Sequence, residues 1–314
     1  MIVAVTGGTG FIGKKLVERL VERGDTVRLL TRHSALPQGF SEDAVEVCQC
    51  DLLTIDSEPL ASMLQGVELI YHCAGQLSDL NTMRALHVEG TKNLLKAAKG
   101  KIKHWVQLSS VGVYGPVHEG SVDERSPINP DGEYEITKAE SDQLVIEGAG
   151  HGGFSYSILR PSNVFGDNMT NQSLFSMISM IDKGLFFFIG KSGVSANYIH
   201  VDNVVEGLVR CGTMVEAKGK IFNLSDHRTL EDFAGVIAEV LGKSATRCHI
   251  PQPIARLTAA TLGKLPGFPL TVSRVEALTN RSVYPIEYIQ QTLAYQHVKT
   301  MEEGLRELVG VFQR

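Results

Sequence analysis

Apolar and polar residues alternate between strand-like and helical patterns at the start of the chain. Ile2–Thr6 is a short β-branched run, and Phe11–Glu22 has apolar residues at helical spacing. Thr26–Thr31 is again rich in residues that favour strands. Because strands and helices differ in the spacing of their apolar residues, this order predicts a βαβ unit.

The same alternation continues as far as Arg160. Four further apolar runs are predicted to form buried strands, at residues 45–50, 69–73, 105–109 and 155–159. Helical patterns lie between most of them, at about 57–65, 80–99 and 133–149. Strands that alternate with helices build a parallel sheet whose two faces are both covered. We therefore predict an α/β fold with a doubly wound parallel sheet, the Rossmann arrangement.

The pattern becomes less regular after Arg160, which predicts a smaller, mixed C-terminal lobe. Helices are expected at about 171–183, 201–216, 229–241, 272–280 and 300–312, with a short strand at Lys220–Leu224. We assign residues 1–160 to a dinucleotide-binding domain, to which about 198–224 returns. Residues 161–197 and 225–314 are assigned to a substrate lobe.

Three segments allow more than one interpretation. The polar connection at 115–131 is either a lid or binding loop, or a solvated excursion. The aromatic run at 186–189 either lines an apolar substrate pocket or forms a buried strand. The apolar stretch at 251–269 either packs in the second lobe or forms a hydrophobic lid or membrane-surface contact.

Composition and charge narrow the class of protein. Of 314 residues 43% are apolar and 21% charged, which indicates a globular chain. The net charge of -5 argues against nucleic acid as a partner. The five cysteines form no Cys-x-x-Cys pair and the histidines show no ligand spacing, so we predict no disulfide framework and no metal site. Without a long uncharged apolar stretch or a leader-like start, we expect a cytoplasmic protein with no membrane span.

A glycine-rich turn joins the first predicted strand to the first predicted helix. Residues 6–13 read TGGTGFIG. Glycine lets the backbone approach a pyrophosphate, and the free N–H groups and positive dipole end of the helix receive its charge. We therefore assign five residues of this turn to cofactor binding: Gly7, Gly10, Phe11, Ile12 and Gly13.

The residue that follows the second strand selects between the two nicotinamide dinucleotides. An acid there would bind the ribose 2′-hydroxyl of NAD, but this chain has Arg32, which suits a 2′-phosphate. The sequence therefore favours NADP over NAD. Asp51 and Leu52 follow the third strand and are expected at the adenine edge, while Ala74 and Gly75 are expected to pass beneath the cofactor.

Ser110, Tyr134 and Lys138 form a set suited to hydride chemistry at a carbonyl or alcohol. Tyrosine is a weak acid, with a reference pKa of about 10, and a lysine one helical turn along stabilises its phenolate. Ser110, at the end of a strand, can hydrogen-bond the substrate oxygen while the tyrosine exchanges its proton. Tyr295 and Lys299 have the same spacing but follow no strand-end serine, so we attribute that pair to chance.

With these motifs the chain resembles the extended short-chain dehydrogenase/reductases of the nucleotide-sugar epimerase/dehydratase and 3β-hydroxysteroid dehydrogenase type. Further matching pieces, spread over nearly the whole length, are HCAG at 72–75, VEGT at 88–91, SSVGVYG at 109–115, LRPSNVFG at 159–166, YIHVDNV at 198–204 and FNL at 222–224. The resemblance implies that Ser110, Tyr134 and Lys138 are catalytic, that Pro161 lies by the nicotinamide and that Asn163 faces the substrate. Ser109 and Tyr114, from the same motif as Ser110, are also assigned to the substrate side.

Three positions depart from the family pattern. Dehydratases carry an Asp-Glu pair where this chain has Val111 and Gly112, so water elimination is not expected. Arg32 stands where sugar epimerases hold NAD through an acid. Ala196 stands where many nucleotide-sugar members have an arginine that clamps the diphosphate, a charge that Arg274 or Arg281 could supply instead.

The leading hypothesis is an NADP(H)-dependent oxidoreductase that interconverts a ketone and a secondary alcohol on a nucleotide-activated sugar. One alternative is an NAD-dependent nucleotide-sugar epimerase, and another is a dehydrogenase or reductase of a steroid-like or lipid-like substrate. A non-enzymatic alternative is an NADP-binding redox sensor. In each enzymatic case the partner is a small molecule, and a homodimer is considered as the assembly.

Overall fold

The computed structural model describes residues 1–36, 39–54, 58–169, 172–246, 248–262 and 271–313. Its strands are β1 (Ile2–Thr6), β2 (Thr26–Thr31), β3 (Val45–Gln49), β4 (Leu69–His72), β5 (His104–Leu108), β6 (Glu119–Ser121), β7 (Ser155–Pro161), β8 (Asn163–Phe165), β9 (Phe188–Ile189), β10 (Ser195–His200), β11 (Lys220–Leu224), β12 (Asp226–Thr229), β13 (His249–Ile250) and β14 (Arg281–Val283). Its helices are α1 (Phe11–Glu22), α2 (Glu58–Met63), α3 (Leu80–Arg84), α4 (Gly90–Ala98), α5 (Glu133–Gly152), α6 (Ser173–Asp182), α7 (Val201–Thr213), α8 (Leu230–Val240), α9 (Gln252–Leu262), α10 (Val272–Ala277), α11 (Glu287–Leu293) and α12 (Met301–Phe312). A π-helical turn (Ala85–Glu89) joins α3 to α4, and 3₁₀ turns occupy Val111–Tyr114 and Val215–Ala217.

Seven parallel strands form the central sheet, in the order β3-β2-β1-β4-β5-β7-β11. Thr6, the last residue of β1, pairs with Leu30 on one side and His72 on the other. The strand order therefore reverses between β1 and β4, and in such sheets a ligand binds in the crevice at the carboxyl ends of the strands. The predicted doubly wound parallel sheet is confirmed.

Helix α1 packs on this sheet through one apolar stripe. Leu16, Val17 and Leu20 are fully buried, while Lys14 and Arg19 on the opposite face are exposed. Each buried aliphatic side chain contributes about 1.5–3 kcal/mol relative to leaving it in water. The stripe holds α1 so that its first turn begins at the carboxyl end of β1.

The second lobe contains a sheet of three strands. Strand β10 runs parallel to β8 and antiparallel to β12. Helices α6, α8 and α12 contribute to its apolar core, which includes Phe165, Leu174, Ile178, Phe233 and Leu305. Phe186 and Phe188 are also buried in this core, and the end of the 186–189 run forms the short strand β9. Both rings also line a small pocket of about 30 Å³.

The polar connection at 115–131 is fastened to the second lobe. Strand β6 lies within it and pairs in parallel with β14. The amide of Arg281 donates to His118 O at 2.7 Å, and the amide of Val122 donates to Val283 O at 2.9 Å. The middle of the connection is therefore tied to residues 281–283, although the three residues of β6 are exposed.

Two further sequence predictions concern the C-terminal half. Residues 252–262 of the predicted apolar stretch form α9, whereas 263–269 lie outside the described residues. Within the described ranges, no helix combines the length and apolarity needed to cross a bilayer.

Candidate active site

A cleft of about 650 Å³ opens at the carboxyl edge of the central sheet and is lined by residues of both the sheet and the second lobe. Almost every residue that the sequence analysis assigned to a site meets there. These are Gly7, Gly10, Phe11, Ile12, Gly13, Arg32, Asp51, Leu52, Ala74, Gly75, Ser109, Ser110, Tyr134, Lys138, Pro161 and Asn163. Tyr114 is the assigned residue that does not line it.

The glycine turn leaves no room for side chains on its inner surface. Gly7 has a φ of +69°, and a Cβ there would lie 2.6 Å from the backbone nitrogen of Ala74. A Cβ on Gly13 would collide with the carbonyl oxygen of Gly7. The amide of Gly10 donates to the same Gly7 carbonyl at 3.0 Å, which closes the turn. These contacts require glycine at both positions.

The first turn of α1 is open to an anion. Its N-cap is Gly10, which has no side chain to cap the helix, and the first turn contains no acidic residue. Phe11 and Ile12, which begin the helix, line the cleft. Free N–H groups and the positive end of the helix dipole therefore face the cavity, as the pyrophosphate of a dinucleotide requires.

Arg32 follows β2 and is exposed at the cleft. Its backbone carbonyl accepts a hydrogen bond from Gln49 Nε2 at 3.2 Å, which anchors the main chain and leaves the guanidinium to the cavity. Asp51 lies nearby on the wall, and its Oδ1 accepts from the amide of Leu53 at 3.0 Å. The end of the cleft beyond the glycine turn therefore contains the exposed guanidinium of Arg32 and the carboxylate of Asp51, which is hydrogen-bonded within its own loop.

Tyr134 and Lys138 occupy the first two turns of α5, on the face that borders the cleft. Lys138 is 5% exposed, and its Nζ donates to the carbonyl of Leu108 at 2.7 Å. Ser110 caps the 3₁₀ turn that follows β5, where its Oγ accepts from the amide of Gly112 at 3.1 Å. The end of β5 and the start of α5 thus bring the serine, tyrosine and lysine together.

The phenol of Tyr134 is held in its protonated form. Burial raises the pKa of Tyr134 to about 12, the carboxylates of Glu135 and Asp142 act in the same direction, and a hydrogen bond with Ser110 opposes them. Burial also lowers the pKa of Lys138, an effect that Asp142 counteracts. At neutral pH the Tyr134 hydroxyl therefore carries its proton.

A buried polar network lies behind this surface and includes Ser109 and Tyr114, which the sequence analysis assigned to the substrate side. Tyr114 is 2% exposed, and its hydroxyl donates to Asn223 Oδ1 at 2.8 Å while accepting from Arg160 Nη1 at 3.1 Å. Ser109 is 3% exposed and donates to Asp142 Oδ2 at 2.8 Å. Both hydroxyls are engaged inside the protein. Ser109 nevertheless lines the cleft, whereas Tyr114 does not.

The substrate end of the cleft is formed by the second lobe. Pro161 ends β7 and Asn163, which is exposed, begins β8. Beyond them the wall is largely apolar or aromatic: Val164, Phe165, Met169, Leu174 and Tyr198. Ala196 is buried in β10.

Neither arginine proposed as a substitute diphosphate clamp reaches the cleft. Arg281 points to the main chain, with Nη2 donating to Lys191 O at 2.7 Å and Nη1 to Gly193 O at 3.3 Å. Arg274 also lies outside the lining. Among the described lining residues, the formally charged side chains are Arg32, Asp51, Asp79 and Lys138.

The second Tyr-x-x-x-Lys pair lies away from the cleft. Tyr295 is 1% exposed and donates to the carbonyl of Asn203 at 3.1 Å. Lys299 pairs with Glu307 at 2.8 Å and with Asp202 at 3.0 Å. Neither Tyr295 nor Lys299 lines the cleft.

One residue next to Tyr134 was not identified from the sequence. His87 lies in the π-helical turn, and its ring packs edge to face on Tyr134 with centroids 5.7 Å apart. The sequence shows it only as the residue before the VEGT piece, inside a stretch predicted as one regular helix.

Comparison with known proteins agrees with this geometry. Residues 3–225 match the NAD dependent epimerase/dehydratase family. The chain is 26% identical over 349 residues to 3β-hydroxysteroid-dehydrogenase/decarboxylase isoform 2 of Arabidopsis thaliana, an alignment that covers 98% of this chain but only 61% of that protein. It is 31% identical over 277 residues to the 4-hydroxy-2-methyl-3-oxo-4-farnesyl-3,4-dihydroquinoline-1-oxide ketoreductase of Stigmatella aurantiaca, covering 83% of this chain and 79% of the relative.

Among solved structures, UDP-glucose 4-epimerase from Thermotoga maritima, determined with UDP-glucose, has the same fold. It superposes with a TM-score of 0.75 at 20% identity, covering 100% of this chain and 99% of that one. That likeness concerns the fold alone, whereas the family match spans most of the chain. The chain therefore belongs to the NAD dependent epimerase/dehydratase family and is an oxidoreductase of the extended short-chain dehydrogenase/reductase type.

Proposed function

We propose that this enzyme uses NADP(H) to interconvert a ketone and a secondary alcohol. The observation that carries the proposal is the meeting of Ser110, Tyr134 and Lys138 with the glycine turn in one cleft. Residues 1–160, with 198–224, would hold the cofactor, and residues 161–197 and 225–314 would hold the substrate. A cytoplasmic location and a homodimer stay predictions.

The residues of the cleft fit a dinucleotide. Gly7 and Gly13 let the turn close tightly against Ala74 and the start of α1, where a Cβ would collide with backbone, and the uncapped start of α1 would receive the pyrophosphate. The exposed guanidinium of Arg32 supports NADP, because it can pair with a 2′-phosphate through charge-assisted hydrogen bonds. A bound nicotinamide supplies or accepts the hydride.

The protein's own groups manage the proton. Tyr134 is protonated at neutral pH, so its hydroxyl can give a proton to the carbonyl oxygen as that oxygen gains negative charge. Ser110, which already reaches the phenol, would hydrogen-bond the same oxygen and orient it. Lys138 places a positive charge on the adjacent turn of α5 and would stabilise the phenolate that remains. With Val111 and Gly112 after Ser110, the site offers no acid pair there for water elimination.

The substrate end of the cleft supports the apolar alternative over a nucleotide-activated sugar. A diphosphate needs a cation, and the described residues around Asn163 contribute Val164, Phe165, Met169, Leu174 and Tyr198 instead. Of the three similar proteins named above, the two identified by sequence have a steroid and a farnesylated quinoline in their names, whereas UDP-glucose 4-epimerase shares the fold alone. We therefore propose an uncharged ketone with an alicyclic or isoprenoid body as the substrate class.

A panel of ketones tests this function. NADPH oxidation is measured with steroid-like and isoprenoid ketones and with keto-sugar nucleotides, using the wild type, Tyr134→Phe and Tyr295→Phe. We expect turnover of an apolar ketone that falls by about 10²–10⁴-fold in Tyr134→Phe, the range for loss of a general acid. Tyr295→Phe should retain the wild-type kcat.

Three other outcomes would each contradict one part of the proposal. Turnover of keto-sugar nucleotides alone would restore the sugar reading. Turnover that survives in Tyr134→Phe would remove the proton donor from the proposal. Wild-type protein that binds NADPH but oxidises it with no ketone in the panel would contradict the proposed substrate class.

A further inference from the structure

His87 lies at an irregular point of the fold beside the catalytic tyrosine. It is the central residue of the π-helical turn Ala85–Glu89 and is 1% exposed. Such turns are rare in proteins and occur frequently at functional sites. Here the turn directs the imidazole toward the space between the Gly75–Gln76 segment and α5.

The hydrogen bonds of His87 define one tautomer. Nε2 lies 2.9 Å from the amide nitrogen of Gln76, which can only donate, so Nε2 is an acceptor. Nδ1 must then carry the proton, which it donates to Thr137 Oγ1 at 2.8 Å. Thr137 in turn donates to the carbonyl of Glu133 at 2.8 Å. The chain of donors is complete and leaves no hydrogen of the ring free for transfer.

The ring also remains neutral. Burial and the nearby charge of Lys138 lower the pKa of His87 to about 3. A second proton would remove the acceptor of the Gln76 amide and would add a cation beside Lys138. His87 is therefore not an acid or base in the reaction.

The contacts of His87 connect the two walls of the catalytic end. A Cβ on Gly75 would lie 3.3 Å from His87 Nε2 and 3.9 Å from Lys138 Nζ. Thr137 lies directly before Lys138 in α5, and the His87 ring meets Tyr134 at an interplanar angle of 74°. One side chain thus contacts the cleft floor, the catalytic helix and the tyrosine ring.

We infer that His87 is a positioning residue, which holds the Gly75–Gln76 floor and the first turns of α5 in register and thereby aims the Tyr134 phenol. The inference rests on the proposed function, since it assumes that Tyr134 is the proton donor. Misplacement of a reacting group by a fraction of a bond length reduces rate strongly, on the order of 10²-fold for about 1 Å.

His72 is a matched control. It is also 1% exposed, with hydrogen bonds to Thr6 Oγ1 at 2.7 Å and Thr91 Oγ1 at 3.0 Å. Burial lowers the pKa of His72 to about 3 as well. Its ring packs on Trp105 at 5.3 Å and not on Tyr134. A loss of buried histidine hydrogen bonds can therefore be separated from a loss of contact with the tyrosine.

The experiment compares the wild type with His87→Leu, His87→Gln and His72→Leu. Thermal unfolding and the Kd of NADPH are measured first, to establish that each variant is folded and binds cofactor. The readouts are then kcat, KM, the pH dependence of kcat, and an ultraviolet difference titration of tyrosinate in the presence of NADP, with Tyr134→Phe as the reference.

For His87→Leu we expect kcat to fall about ten- to a hundredfold. The KM of the ketone should change by no more than about threefold, because ground-state binding of the ketone does not depend on the orientation of the Tyr134 phenol. The Tyr134 titration and the midpoint of the pH profile should move upward, since the phenolate lies farther from Lys138. His87→Gln, which keeps a donor and an acceptor, should recover most of the loss. His72→Leu should lower the unfolding temperature without moving the Tyr134 titration or the midpoint of the pH profile.

Two results would overturn the inference. One is a folded His87→Leu protein whose kcat and tyrosine titration equal those of the wild type. The other is an equal change in His72→Leu, which would reduce the effect to general destabilisation. Because the tyrosinate titration needs no substrate, it still tests His87 if the ketone panel shows no turnover, so failure of the proposed function is recognised separately.

Discussion

Arg32 lies exposed where the second strand meets the cleft, and it decides the cofactor prediction at the residue scale. We expect Arg32→Asp to reverse the preference from NADPH to NADH. The guanidinium to phosphate contact is on the order of 1.5–3 kcal/mol, about ten- to a hundredfold in affinity. The new carboxylate repels the 2′-phosphate and accepts a hydrogen bond from the 2′-hydroxyl of NADH.

The measurement is the Kd of each cofactor at fixed ionic strength. Arg125→Asp makes the same change of charge at an exposed position that does not line the cleft, and it should leave the ratio of the two Kd values unaltered. A wild type that already binds NADH more tightly would contradict the role of Arg32 and would favour the NAD-dependent epimerase reading.

Tyr134 predicts the pH dependence. Because its pKa is raised to about 12, the phenol is protonated throughout the neutral range. The kcat of ketone reduction should therefore stay level through neutral pH and fall only at alkaline pH. Alcohol oxidation needs the phenolate and should rise with pH, with a lower midpoint because the oxidised cofactor adds positive charge. Rate profiles in both directions test this prediction. It would be contradicted if the kcat of ketone reduction already decreased as the pH was raised from acidic values toward neutral.

At the scale of a secondary-structure element, the start of α1 depends on Gly13. We expect Gly13→Ala to weaken NADPH binding by tenfold or more and to lower the free energy of unfolding, because the new Cβ meets the Gly7 carbonyl. Gly150→Ala in α5 is the matched control, since a Cβ there enters open space. It should stabilise the protein by about 0.4–1 kcal/mol through helix propensity.

Urea unfolding and cofactor titration distinguish the two helical glycines. If Gly13→Ala bound NADPH as tightly as Gly150→Ala, the close approach of α1 to the turn would have no bearing on the cofactor.

At the scale of the whole molecule, the Arg160 and Asp142 pair joins strand β7 to helix α5. Both residues are at most 4% exposed, and Arg160 Nη2 donates to Asp142 Oδ2 at 3.0 Å. Asp142 Oδ2 also accepts from Ser109, while Oδ1 has no hydrogen-bond partner, so the arginine is the main partner of the carboxylate. We expect Arg160→Met to lower the free energy of unfolding by about 3–5 kcal/mol, because the buried carboxylate loses its ion-pair partner and keeps only the Ser109 hydrogen bond and the nearby charge of Lys138.

The double variant Arg160→Met/Asp142→Leu should recover much of that loss, because it removes the stranded charge as well. Chemical denaturation of the wild type, the two single variants and the double variant gives the interaction free energy. Additive effects of the two substitutions would show that the pair contributes nothing by itself.

The strands of the central sheet and the glycine turn could be predicted from the sequence because their signals are local. Apolar runs mark buried strands, and glycines at the junction of β1 and α1 mark a close backbone approach. Tyr134 and Lys138 have the spacing of one helical turn, and the strand-end Ser110 that precedes them distinguished this pair from Tyr295 and Lys299. Those features depend on neighbours in the chain, and the Rossmann sheet follows from their order.

The remaining features depend on contacts between distant residues. The helix expected at 80–99 contains the π-helical turn that carries His87, whose partners Gln76 and Thr137 come from other elements. Tyr114 belongs to the same motif as Ser110, yet the buried Arg160 and Asn223 turn it away from the cleft. Arg281 is committed to backbone carbonyls of the second lobe, so it is lost as a diphosphate clamp. Local sequence patterns determine the order of the strands and the types of residue in the site. Whether a given side chain faces the cleft or the protein interior depends on the distant residues that pack against it, and only the tertiary structure decides that.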